Sequence, residues 1–126
     1  MSKKNRIRKG RLLALSSKKN SVSTQTDQQD KKMNPLPFKG SLKESHEKIM
    51  LILTGKQDAE IRTSAEDYIH AVTKTKVLRF KDDVEFLFDE KNKLIHFRSE
   101  SRLGSYDFGV NRKRMEKIAE FYLGAD

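Results

Sequence analysis

Apolar residues first fall into a regular pattern at position 42. Leu42, His46, Ile49, Met50 and Leu53 recur at helical spacing, so they line one face of a helix and leave the charged positions between them to solvent. The ends of this helix are marked. Ser41 with Glu44 three residues on reads as a capping box, and Gly55 as a left-handed stop. The period then shortens to two. Four runs rich in β-branched and aromatic side chains, near 60–64, 68–73, 83–89 and 94–99, are separated by turn residues and predict an antiparallel meander. In the last two, Val84, Phe86 and Phe88 alternate on one strand and Ile95, Phe97 and Ser99 on the other. Keeping the large apolar side chains on one face pairs 88 with 95 and 86 with 97, which sets Glu85 across from Arg98 and Leu87 across from His96. A second helix is predicted from Asn111 as N-cap to Gly124, with Val110 and Met115 as a hydrophobic staple and Met115, Ile118, Ala119, Phe121 and Tyr122 on its buried side.

These elements define an α+β fold. It is expected as a two-layer sandwich, an antiparallel four- to five-stranded sheet with two helices packed on one face, spanning residues 41–126. Residues 1–12 read as a disordered basic arm, and residues 13–40 as an extended, irregular lead-in. From Ser16 to Lys32 only Val22 is fit to be buried, so composition alone argues for disorder there. Pro35 and Pro37 exclude a helix and a central strand, leaving an edge segment that lays Leu36 and Phe38 on the core.

Charge sharpens this division. The formal net charge is +9 over 126 residues, and residues 1–40 supply all of it, with eleven Lys and Arg against Asp27 and Asp30. Residues 41–126 carry sixteen charges of each sign. A basic composition argues for nucleic acid or an anionic surface only where charges cluster, so that reading attaches to the arm, residues 3–19, and not to the folded part.

The absence of cysteine removes disulfides, thiol nucleophiles and cysteine-ligated metals. Leu12-Leu13-Ala14-Leu15 is the longest apolar run near the start, too short for a signal sequence, and no run is long enough to span a membrane, so a cytoplasmic protein is expected. His46, His70 and His96 have no metal-ligand spacing, and there is no nucleophile elbow, P-loop or dinucleotide fingerprint. No catalytic residue, metal or cofactor is assigned.

The strongest candidate site is the connection from Arg98 to Arg114. Arg98, Arg102, Asn111, Arg112 and Arg114 can surround a phosphate, sulfate or carboxylate at the start of the last helix. Cations in a first helical turn oppose the dipole, which asks for a compensating anion. Asp82, Asp83, Glu85 and Asp107 can supply it from within the chain, as fork-like structural salt bridges. Both readings stand. Asp82 and Asp83 are adjacent on a strand and point to opposite faces, so they do not form an acid/base pair.

Two motifs carry a family resemblance. Arg79-Phe80-Lys81-Asp82-Asp83-Val84-Glu85-Phe86, and Ile95-His96-Phe97-Arg98-Ser99-Glu100-Ser101-Arg102-Leu103-Gly104 continued by Asp107 to Arg114, are similar to the domain of unknown function 1499 family of bacteria and plastids. A weaker likeness runs through Ser16 to Ser23, where Ser21 stands at a position that the family pattern fills with cysteine. The resemblance implies that the domain begins near Leu13, against the compositional reading, and it supplies no activity. The function expected is that of a small non-enzymatic binding or accessory protein with a small anion or acidic partner at the Arg98–Arg114 connection. The alternative is nucleic-acid or anionic-surface binding through the arm.

Overall fold

The computed structural model describes residues 6–75 and 78–124. In chain order the elements are β1 (Ile7–Arg8), β2 (Arg11–Leu12), β3 (Ser21–Ser23), a 3-10 turn (Gln29–Lys31), β4 (Leu36–Pro37), α1 (Leu42–Thr54), β5 (Ala59–Ala65), β6 (Tyr68–Lys74), β7 (Lys81–Asp89), β8 (Leu94–Ser101) and α2 (Val110–Gly124). The fold is α+β, with the two helices and a six-stranded antiparallel sheet beside the small β1–β2 hairpin.

From β5 to β8 the chain is a meander, and the β7–β8 ladder has the expected register. Phe88 faces Ile95, Phe86 faces Phe97, Glu85 faces Arg98 and Leu87 faces His96. The sheet has six strands but five positions, because β3 and β4 both pair with β8. The first lies along Arg98–Glu100 and the second along Leu94 and Ile95. The outer edge is thus one interrupted strand, a place where the missing N–H of Pro37 costs no ladder bond.

The layering is fuller than a two-layer sandwich. On β6 and β7, Tyr68–Thr73 and Asp82–Phe88 are buried throughout, so both sheet faces are covered. Ile49 and Leu53 of α1 and Met115, Ile118 and Tyr122 of α2 pack on one face against Ile69, Val84, Phe86, Phe88, Ile95 and Phe97. On the other, Leu12 closes over Tyr68 and Leu87, with Ile7 and Ala65 beside them. The hairpin of β1 and β2 lies within residues 1–12, the segment expected as a disordered arm, of which residues 1–5 are outside the described residues. Its one buried leucine, and an ion pair described below, anchor a segment whose composition is otherwise that of a solvated tail. The lead-in is ordered as well: Val22 is in the core, and Lys31 Nζ donates to the Ser16 carbonyl at 2.9 Å.

Helix α1 has its capping box, with Glu44 N donating to Ser41 Oγ at 3.1 Å and Ser41 N to Glu44 Oε1 at 2.9 Å. Gly55 is right-handed at φ −76, not a left-handed stop. His46 lies at the core boundary, its ring 5.3 Å from that of Phe88. Helix α2 starts at Val110, so Asn111 lies inside it and is not its cap. Phe121, expected in the core, faces solvent, as does Phe80.

Candidate functional site

The alternation of a strand divides the motif residues between the two sheet faces. Asp82 points toward the helices and Asp83 away from them, and each meets an arginine of the second motif. On the helix face Arg114 Nη2 donates to Asp82 Oδ2 at 2.7 Å, with Asp82 fully buried. Asn111 is also buried and ties the start of α2 to β8. Its Oδ1 accepts from Ser99 Oγ at 2.6 Å and from Arg114 Nη1 at 2.9 Å. Its Nδ2 donates to the Asn20 carbonyl, Ser101 Oγ and Asp107 Oδ2, at 3.0, 2.9 and 2.7 Å.

Asp107 takes the capping role expected of Asn111. Its two oxygens accept from the backbone N–H groups of Gly109 and Asn111, at 2.9 and 3.1 Å. The chain's own carboxylate thus occupies the positive end of the α2 dipole, where the sequence left open either an external anion or an internal acidic partner. That placement offsets the cost of Arg112, Lys113 and Arg114 in the first turn.

On the opposite face Glu85 is buried with no exposure, accepting from Arg6 Nη2 at 2.7 Å, Arg98 Nη1 at 3.4 Å and the Tyr68 hydroxyl. A buried carboxylate is tolerated only with such company. Arg98 spends its remaining donors on Glu100 Oε1 at 2.6 Å and on the carbonyls of Leu13 and Ala14, which pins the N-terminal segment to the sheet. Arg102 grips Asp83 with two bonds of 3.0 Å, and the His70 Nε2 lies 2.8 Å from the same carboxylate. Burial acts to raise the pKa of Asp83, but the hydrogen bonds of His70 and Arg102 outweigh it and hold the carboxyl well below the usual range. Burial and the bond to Glu85 push the Tyr68 phenol upward, so it stays protonated as a donor.

The five candidate ligand-binding residues therefore do not converge. Arg98 and Arg102 lie on one sheet face, Asn111 and Arg114 on the other, and Arg112 donates to the Asp30 carbonyl at 2.8 Å on the exposed side of α2. The pocket nearest Arg112 measures about 140 Å³ and is lined also by Lys19, Asp30, Tyr106 and Asp107. Among the described residues no three acidic or histidine side chains are grouped to hold a metal ion, and no helix is long and apolar enough to cross a membrane. Sequence reasoning did not find Arg6, Tyr68 and His70 as members of the cluster. Arg6 looks like any other arm cation, and only the covered second face brings it to Glu85.

The sequence model of a family described as protein of unknown function (DUF1499) matches residues 11–121, and the chain belongs to that family. No curated protein and no solved structure matches it.

Proposed function

We propose that this domain is a non-enzymatic binding module in which the two charged motifs build a frame, and the loops held by that frame make the contact. The observation that supports it is the pairing of every carboxylate of the first motif with an arginine of the second: Asp82 with Arg114, Asp83 with Arg102, Glu85 with Arg98. A guanidinium whose fork is filled by a buried carboxylate has few donors left for a ligand. What the frame presents is a pair of segments at one end of the sheet, Leu78–Phe80 and Arg102–Gly109.

A second, smaller reading keeps Arg112. Its guanidinium reaches a backbone carbonyl instead of a carboxylate and stands near Lys19, an arrangement that suits a small anion or an acidic side chain from a partner. The arm reading has less support, since Arg6 spends its charge on Glu85.

In-cell photocrosslinking tests the proposal. A photoreactive phenylalanine analogue at position 108 should form adducts, and the same analogue at position 91, in the β7–β8 hairpin at the far end of the sheet, should not. Equal yields at both positions, or none at 108, would contradict it.

A further inference from the structure

We infer that the loop end of the sheet docks on anionic membrane surfaces, an inference that rests on the binding-module reading above. β3 begins, β8 ends and β7 begins at this end, where Ser101 N donates to the Asn20 carbonyl and Arg102 N to the Lys81 carbonyl. Leu78–Phe80, just before β7, and the β8–α2 connection are therefore neighbours. Leu78 is 67% exposed and Phe80 47% on the first, and Leu103 70%, Tyr106 58% and Phe108 79% on the second. A single exposed leucine is ordinary, but five large apolar side chains on two adjoining loops form a patch that marks an interaction surface.

Phe108 adds a second cost. Its φ of 54 places a bulky ring in the left-handed region, followed by Gly109 at φ 78. Such strain persists where the surroundings or a partner compensate it. Within the chain its ring contact is Tyr106, edge to face at 4.7 Å.

The surrounding charges select the partner. Lys18 and Lys19 lead into β3, Arg79 sits between Leu78 and Phe80, and Lys81 opens β7; all four are exposed. Two of the nearby carboxylates are committed, Asp107 to the α2 amides and Glu100 to Arg98, while Asp30 is exposed near Lys19 and Tyr106. Apolar loop tips among lysines and arginines match the layers of an anionic bilayer. Leucine and phenylalanine enter the acyl boundary, tyrosine sits at the interface and cations meet phosphate. An acidic protein would satisfy the cations but would not need protruding apolar tips.

The test is co-sedimentation of the full chain with vesicles of phosphatidylcholine alone and with vesicles containing about one-third phosphatidylglycerol. The wild type should bind the second and not the first. The double variant Leu103→Ser with Phe108→Ser should bind about tenfold more weakly or worse at an unchanged melting temperature. Lys18→Gln and Lys19→Gln should each weaken binding about fivefold at low salt. No binding to the anionic vesicles would overturn the inference, and so would binding that the apolar double variant leaves intact, which would assign adsorption to the N-terminal cations. Crosslinks from position 108 to protein and not to lipid would also overturn it while sparing the binding-module reading. No crosslinks at all would remove both.

Discussion

The Ser99 hydroxyl donates to Asn111 Oδ1 at 2.6 Å, so a strand residue and a helix residue twelve positions apart are locked together inside the protein. Through that bond the end of β8 and the start of α2 become one unit, with Arg114 and Asp82 continuing it across the sheet. Replacing Asn111 by alanine leaves Ser99, Ser101 and the Asn20 carbonyl without this partner in a buried setting. The expected loss is about 2–3 kcal/mol, the upper part of the range for a single unsatisfied buried group. Urea denaturation checks it, and a loss within experimental error would show that the amide is dispensable.

Asp83 predicts an acid-side slope. Its folded pKa lies below the unfolded value, so its contribution to stability is complete above about pH 4 and is lost as pH falls toward the folded value. The Asp83→Asn variant should be less stable at neutral pH and should lose stability less steeply than the wild type between about pH 4 and pH 2. Parallel curves would mean that His70 and Arg102 do not hold the carboxylate.

His96 predicts a second slope, nearer neutrality. Burial lowers its pKa, so folding favours the neutral ring, whose Nδ1 is 3.1 Å from Thr24 Oγ1. That contribution is complete above about pH 6.5 and declines as pH drops below it. In His96→Gln the decline between about pH 6.5 and pH 5 should flatten, as read from melting temperatures across that range.

Ser21 predicts a gain. It is buried, and its hydroxyl has no hydrogen-bond partner among the described residues. Cysteine, which the family resemblance implies at this position, is about as small and tolerates an apolar setting better. Ser21→Cys should therefore stabilise the protein, by about 1 kcal/mol. Chemical denaturation under reducing conditions measures this, and a destabilised variant would contradict it.

Local patterns made the meander legible. Alternation in Val84–Phe88 and Ile95–Ser99 sufficed to set the β7–β8 register, and Ser41 with Glu44 marked the start of α1. Pairings across the sheet were less accessible. Asp107 and Asn111 are both good capping residues four positions apart, and only the geometry of the turn at Phe108 and Gly109 decides between them. The covered second face left no periodic signal, because its cover is Leu12 within a basic segment and its interior is Glu85, His70 and Arg98 as well as Tyr68 and Leu87. Charged side chains that neutralise one another in a core look, in sequence, like solvent-facing ones.

The most direct measurement of whether the motif arginines serve the frame is the melting temperature of the wild type, Arg102→Ala and Arg114→Ala, each with and without added phosphate or sulfate. Arg114→Ala strands the buried Asp82 and should cost about 3–5 kcal/mol. Arg102, more exposed, should cost less. If the arginines are structural, both losses are the same in every buffer and the wild type gains nothing from the anion. A wild type stabilised by phosphate, with that gain abolished in Arg102→Ala or Arg114→Ala, would contradict this and make the connection a ligand site.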